Sequence, residues 1–267
     1  MKTIHVLGYL TLALLLSNCK QAPTPTTTTL VNEVSTTDHP VYVEAIEQAH
    51  NKAQLLSHET ICFNLQYQFG DRSNKMKVFT TPNSSDIKIE KLDGTITIVS
   101  NGDVYTNADS TKWAGEQFSI YTWQYFFMAP FKLSDEGTNW QKLPQQEIAG
   151  QLTNVAKLTF DTGTGDAPDD WYILHTDPDT DLLQYLGYIV TGGGKTQAEA
   201  EKSARAVHYQ DYIQVDGVPI ATKWSFHNYD PNNGLGDQLG GATIKNALFM
   251  KVDADTYDTT DLTKISG

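Results

Sequence analysis

The sequence predicts a mainly β, antiparallel α+β domain. Short segments that alternate apolar and polar residues recur along the chain, and only two stretches carry a helical period. Asp-Gly and Asn-Gly pairs stand between several of the alternating segments, a strong mark of two-residue hairpins, so neighbours in sequence are expected to pair antiparallel. The strand–helix alternation that builds parallel sheets is missing.

The chain opens "MKTIHVLGYLTLALLLSNC". Lys2 supplies a short positive start, and Val6 to Leu16 form an apolar run of about the 7 to 15 residues of a signal-peptide core, well short of the ~20 that a membrane helix needs. Residues 1–18 are therefore expected to be a signal peptide that directs export. The run ends in "LSNC", which resembles the lipobox of bacterial lipoproteins, and this resemblance makes Cys19 the acylated residue and mature N-terminus. Asn18 departs from it, since a smaller residue usually stands there, and cleavage elsewhere with Cys19 incidental is the other reading. Residues 19–38, with "PTPTTTT", have almost nothing apolar to bury and are expected to be a flexible tether.

Residues 39–267 are expected to form one domain, since no internal linker or repeat interrupts them. "HPVYVEAIEQAHNKAQLL" places Val41, Ala45, Ile46, Ala49, Ala53 and Leu56 at helical spacing, with Asp38 as cap and Pro40 in the first turn. "TICFNLQYQF", "KMKVFTT", "SDIKIEKL" and "TITIVS" then read as strands of an antiparallel meander. The segment from Phe118 to Phe131 is a second helix: Phe118, Tyr121, Tyr125 and Met128 recur at spacings of three to four, while Trp123, Phe126 and Phe127 fall on its other sides. A helix apolar nearly all round is enclosed by protein or covers an apolar cavity, and Pro130 ends it. The strand pattern resumes with "QLTNVAKLTF", "DWYILHT", "LLQYLGYIV", "RAVHYQDYIQV", "PIATKWSFHNY" and "ATIKNALFMKV", with "TDPDTD" and "VDGVP" as turns and "TGGGK" as a loop. In all, about ten strands accompany two helices.

The formal net charge is −13, which excludes nucleic acid and an anionic membrane surface as main partners. Of the two cysteines, Cys62 lies in a strand and is expected to be a buried, unpaired thiol. No enzyme signature emerges. Asp161, Asp166, Asp169 and Asp170 form an acidic loop, and Asp177, Asp179 and Asp181 begin a D-x-D-x-D run, but Leu182 and Tyr188 stand where an EF-hand loop needs Gly and Glu, so these acids read as turn residues. His175, His208 and His227 fall on three strands without the close pairing of zinc motifs. Ser134 and Ser225 lack a nucleophile elbow, and "TGGGK" lacks the context of a phosphate-binding loop. No cofactor or metal is expected.

"YFFMAPFKLSDEGT", "GTGDAPDDWYILHTDPDT" and "DYIQVDGVPIATKWSFHN" resemble a family of uncharacterised envelope lipoproteins of Gram-negative, Bacteroidota-type bacteria, over most of residues 40–250. "AHNKA" in place of a glycine-rich turn and the loop "GGGKTQAEAEKS" depart from it. More distantly, the order of helix, hairpins, apolar helix and later hairpins is similar to the periplasmic lipoprotein-carrier fold, the LolA type. That resemblance implies a strongly curved, incomplete antiparallel barrel whose concave face is covered by the N-terminal and aromatic helices and holds acyl chains.

The resulting expectation is a non-catalytic cell-envelope lipoprotein, on the outer membrane and facing the periplasm, that binds a lipid, acyl chain or other amphiphile. Trp123, Tyr125, Phe126, Phe127, Phe131, Trp224 and Phe226 are the candidate ligand contacts, although each has core packing as its commoner role. Two alternatives remain: an envelope hydrolase or sugar-processing enzyme using the acidic loop 161–170, and a structural subunit that docks to an envelope protein. Cys19→Ser is expected to abolish metabolic fatty-acid labelling and release the protein from membranes; labelling that persists in the variant would reject acylation at Cys19.

Overall fold

Thirteen strands form one antiparallel sheet in the computed structural model, which describes residues 39–165, 167–253 and 255–266. The unit Met1–Asp38 lies outside the described residues, and with it the signal peptide, Cys19, the tether and the Asp38 cap.

The first helix, expected as one, is two: α1 (Val41–Ala49) and α2 (Lys52–Leu56). Asn51 between them takes the left-handed conformation, φ 54° and ψ 48°, which asparagine tolerates better than most residues. Its amide donates to the Gly217 carbonyl at 2.9 Å, which fixes the break. The buried face accordingly differs from the one that the spacing picks out. Val43, Ile46 and Leu55 are buried, whereas Val41 is 81% exposed and Leu56 50%.

A meander follows: β1 (Thr60–Phe69), β2 (Arg72–Thr80), β3 (Ile87–Lys91), β4 (Ile96–Ser100) and β5 (Asp103–Thr106). Ser100 pairs with Asp103 across Asn101 and Gly102, both at positive φ, the two-residue turn that the Asn-Gly pair predicts. Then come α3 (Trp113–Met128) and a 3₁₀ turn at Ala129–Phe131. The α-helix passes into this 3₁₀ turn two residues before Pro130, whose nitrogen carries no hydrogen to donate back to the preceding turn. The second meander contains β6 (Thr138–Ile148), β7 (Gln151–Phe160), β8 (Tyr172–Thr176), β9 (Leu183–Tyr188), α4 (Gln197–Glu201), β10 (Arg205–Val215), β11 (Val218–Asp230) and β12 (Gly234–Met250), and β13 (Thr263–Ser266) closes the chain order. Strands β5, β6 and β13, the first half of β12, and α4 exceed the sequence expectation. β6 is an edge strand carrying Pro144, with little alternation in its burial, and α4 owes its existence to a capping box between Thr196 and Glu199 inside the segment that reads as a loop.

Pairing of β1 with β12 joins the two meanders, giving the order β13-β5-β4-β3-β2-β1-β12-β11-β10-β9-β8-β7-β6. β6 nevertheless comes beside β12, six places away in that order, where a flat sheet would hold them about 29 Å apart at ~4.8 Å per strand. Gln146 of β6 donates to the Pro231 carbonyl at 2.9 Å. The sheet is therefore curved, as expected, and it is not closed.

Its helix-covered face carries the main core, in which Phe63, Leu65, Leu186, Val207 and Phe226 meet Ile120, Phe127 and Met128 of α3. A smaller core occupies the opposite face under α4, where Ile173, Tyr185, Ala206 and Tyr229 pack with Trp171, Ala200 and Ala204. Gly187 makes room there, since a Cβ at that position would stand 2.5 Å from the Tyr229 ring. Cys62 is a buried free thiol, 4% exposed, and burial pushes its pKa up.

Two fully buried histidines are held neutral. Tyr229 Oη donates to His175 Nε2 at 2.9 Å, and His175 Nδ1–H reaches Thr153 Oγ1 at 3.1 Å, a tautomer set by the Thr153 hydroxyl donating onward to the Gln146 carbonyl. His50 Nδ1 donates to the Ile46 carbonyl at 2.8 Å. Desolvation lowers the pKa of each to about 4. A base whose folded pKa is depressed gives stability that is complete above its unfolded pKa and is lost as pH falls through the folded value. Unfolding near pH 5 is thus expected to take up about two protons at these sites, read as the slope of stability against pH between 6.5 and 4. In His175→Gln the slope should fall by about one proton; an unchanged slope would contradict the neutral assignment.

Candidate functional site

α3 is fixed to one half of the sheet by polar contacts in otherwise apolar surroundings. Glu116, 6% exposed, receives Lys91 Nζ at 2.6 and 2.7 Å and the Thr97 hydroxyl at 3.1 Å, which ties the helix to β3 and β4. Gln124 Nε2 donates to Thr80 Oγ1 at 3.2 Å and Ser84 Oγ at 2.6 Å. Tyr209 Oη of β10 donates to the Phe126 carbonyl at 2.8 Å, satisfying one of the acceptors left open at a helix end. Beyond Phe131, Ser134 Oγ and N both donate to Glu47, which also pairs with Lys52 at 2.8 Å, so α1 and α2 grip the exit of the aromatic segment.

Fixed in this way, α3 does not fill the whole space over the sheet. A cavity of about 420 Å³ opens between Tyr121 and Tyr125 of the helix and Phe160, Tyr172, Tyr188 and Val190 of the second meander. A cleft of about 810 Å³ lies along the helix toward Tyr67, Phe69 and Phe226. Both spaces are bordered by Phe118, Thr122, Phe126 and Tyr188, so they adjoin one face of α3. Phe118, 53% exposed, stands at this junction.

The walls are a connected set of rings. Phe160 meets Tyr172 edge-on at 5.9 Å, Tyr172 lies 5.0 Å from Tyr125, and Phe126 sits 4.9 Å from Tyr188 and 5.7 Å from Phe226. Phe226 continues to Phe69 at 5.0 Å and Trp123 at 5.9 Å, and Trp123 stacks on Tyr67 at 4.5 Å. Such offset and edge-on pairs add about 0.5–1.5 kcal/mol each beyond area burial, which gives the wall a defined shape. Burial pushes the Tyr188 hydroxyl up to about 12 and those of Tyr125 and Tyr172 higher still, so the phenols are neutral at any physiological pH. The ring-bearing walls present apolar area with a few neutral hydroxyls, as sites for hydrophobic small molecules do, and charged residues border the rest: Lys132, Asp135, Glu136 and Asp170 at the cavity, Arg72, Lys91, Lys112, Glu116 and Arg205 at the cleft.

The sequence-derived candidates divide into two groups. Trp123, Tyr125, Phe126 and Phe226 line the large spaces. Phe127 instead stacks on Phe63 at 4.0 Å, Phe131 packs edge-on against His50, and Trp224 meets Tyr209 edge-on while its indole donates to the Ala221 carbonyl; these three surround a gap of only about 20 Å³. Tyr67, Phe69, Tyr172, Tyr188 and Phe160 were not singled out in the sequence, because each sits in an ordinary alternating strand. A glycine is the available signal for Phe69: a Cβ at Gly240 would stand 2.5 Å from the Phe69 ring, so the bare strand leaves the place for it.

The chemical groups considered as alternatives are satisfied by local structure. Asp161 accepts from Asn139, Asp170 from the Thr191 amide and hydroxyl, and Asp177 from the Asp179 and Thr180 amides, as turn acids do; Asp166 lies outside the described residues. Ser225 Oγ lies 3.0 Å from His227 Nε2, but neither residue lines any of these spaces. Ser134 Oγ donates to Glu47 at 2.8 Å and accepts from Lys52 Nζ at 2.8 Å. Among the described residues no group of His, Cys, Asp and Glu is placed to hold a metal, and no helix is long and apolar enough to cross a membrane.

No family model matches the sequence, and no curated protein matches it. Solved structures do match. A LolA superfamily protein from Nitrosomonas europaea is similar over 81% of this chain and 97% of its own, with TM-score 0.53 and 7% identity. A Vibrio parahaemolyticus structure described as an outer membrane lipoprotein-sorting protein domain is similar over 81% and 95%, with TM-score 0.53 and 10% identity. A DUF1329 family protein from Desulfovibrio piger covers 80% of this chain and 95% of its own, with TM-score 0.50 and 12% identity. At such identities the likeness concerns the fold: this chain has the LolA-like architecture of an open, curved antiparallel sheet with a helix laid across it.

Proposed function

We propose that this protein is an exported envelope lipoprotein that holds the hydrocarbon part of a lipid or other amphiphile between α3 and the curved sheet, without performing chemistry on it. One observation carries the reading: two spaces of about 420 and 810 Å³, lined in part by aromatic rings, lie on either side of α3 and share Phe126 and Tyr188 as wall. A proposed anchor at Cys19 and a tether to residue 38 would keep the domain at a membrane surface, where such a ligand is found. The description of the Vibrio structure as a lipoprotein-sorting domain, and the LolA superfamily membership of the Nitrosomonas protein, support a place in the periplasm at the outer membrane. The proposed contacts are Trp123, Tyr125, Phe126 and Phe226, with Tyr172, Tyr188 and Phe69 added from the geometry.

The magnitudes fit reversible carriage. About ten methylenes at ~0.8 kcal/mol each give roughly 8 kcal/mol of gross gain, against an association cost of about 4 kcal/mol or more. A weak enough net leaves the ligand able to depart.

Titration of the mature protein with a fluorescent fatty acid tests this. Phe126→Ala, which removes shared wall, and Thr122→Trp, which fills the junction, are each expected to weaken binding about 10-fold or more, equivalent to ~1.4 kcal/mol. Phe127→Ala is the contrast: it should cost about 3–5 kcal/mol of stability through the stack on Phe63 and leave affinity of the folded protein unchanged. Absence of binding by the native protein, or full binding by Thr122→Trp, would overturn the reading.

A further inference from the structure

We infer that the amphiphile carries a single compact anionic headgroup, held at the mouth of the 810 Å³ cleft by Arg72, Lys112 and Arg205 while its tail passes Phe126 into the 420 Å³ cavity. This rests on the proposed function and adds to it the chemical class and orientation of the ligand.

The observation is a segregation of charge that the composition opposes. The chain has 19 Lys and Arg against 32 Asp and Glu. Yet the charged residues lining the cleft are Arg72, Lys91, Lys112, Arg205 and a lone acid, Glu116. Glu116 is already neutralised by Lys91 at 2.6 Å, and the remaining three cations are exposed. They arrive from separate parts of the fold: Arg72 begins β2, Lys112 precedes α3, and Arg205 begins β10. No acidic side chain lies within ion-pair distance of any of the three among the described residues. The adjoining cavity has the opposite balance, with Asp135, Glu136 and Asp170 against Lys132, which itself pairs with Asp135.

Three cations bordering one cleft favour an anion at that end. The acidic rim of the other cavity disfavours an anionic head there. A tail lying against Phe126 and Tyr188, which border both spaces, therefore has one favoured direction. A cationic head meets the positive charge of Arg72, Arg205 and Lys112, the last partly offset at longer range by Asp93 and Asp109, whereas a neutral head gains nothing from it.

The test uses the mature full-length protein and three single-chain probes that share one hydrocarbon tail: a fatty acid, the matching alcohol and the matching trimethylammonium compound. The fatty acid is expected to bind about 10-fold tighter than the alcohol at low salt, and the cationic probe more weakly than either. In Arg72→Gln/Lys112→Gln/Arg205→Gln the advantage of the fatty acid should disappear while affinity for the alcohol is kept, which also shows that the variant is folded. Raising the salt should erode the advantage in the native protein only. Equal binding of acid and alcohol by the native protein, or an unchanged preference in the variant, would overturn the headgroup assignment and leave the carrier reading standing. Failure of all three probes to bind would overturn both. Displacement of the fatty acid by inorganic phosphate at the same concentration would reduce the cations to a general anion patch and likewise overturn the inference.

Discussion

The structure depends on one constraint: a helix with apolar side chains on every side must be accommodated against a sheet that curves but does not close. α3 has no polar face to turn toward solvent along its second half, where Trp123, Phe126, Phe127 and Met128 are all buried. A helix of this kind needs protein around its whole circumference. The sheet encloses it by curling, so that β6 comes near β12, while the first meander supplies Phe63, Leu65 and Ile87 beneath it. The curved sheet touches the helix through Tyr125–Tyr172, Phe126–Tyr188 and Phe126–Phe226 without filling the space on either side of these contacts. The unfilled spaces follow from that mismatch.

Polar contacts decide where the mismatch falls. A buried ion pair such as Lys91 with Glu116 contributes little net stability, because desolvation of two charges offsets their attraction, but removing one partner is costly. Its effect is positional. Together with the Gln124 bonds to Thr80 and Ser84, it holds α3 over β2, β3 and β4 rather than midway across the sheet. Tyr209, reaching the Phe126 carbonyl from β10, spans to the far meander near the helix end, and the Ser134–Glu47–Lys52 cluster secures the exit. The 420 Å³ cavity therefore lies on the side of β7, β8 and β9, and the larger cleft runs toward β1, β11 and β12.

The class of fold was legible because it depends on short-range patterns. Two-residue turns at Asn101-Gly102 and Asp216-Gly217 determine which strands are neighbours, and both pairs are visible in the chain. The break at Asn51 was not, since helical period continues through it and the break depends on a bond to Gly217, 166 residues away. β6 escaped for a different reason: an edge strand with Pro144 and little burial lacks the alternation that marks a strand. Within the aromatic segment, periodicity identifies an element apolar all round but assigns no side chain to core or cavity. Phe126 and Phe127 are adjacent and equally buried at 5%, yet one borders both large spaces and the other stacks on Phe63. That distinction comes from the direction in which α3 is clamped, and the clamping residues are Glu116, Lys91 and Gln124, none of them apolar.

The far wall shows why a search for apolar residues finds only part of such a site. Phe69 reaches its place beside Phe226 because Gly240 of β12 has no side chain, and on the opposite face Tyr229 lies over Gly187 in the same way. In each case a large ring occupies the volume that a neighbouring strand leaves free. Glycine inside a strand weakens it, having more conformational freedom to lose and no side chain to pack, so its presence calls for a compensating contact. The run from Gly234 to Gly241 lies within the longest strand of the sheet, and the pairing of β12 with both β1 and β11 supplies that compensation. The glycines weaken the strand locally while its two partners hold it, and the ring that fills the vacancy at Gly240 becomes wall of the cleft. The aromatic segment thus supplies one side of the site in a form that sequence pattern reveals, and the bare positions of β12 supply the other in a form that only the folded register reveals.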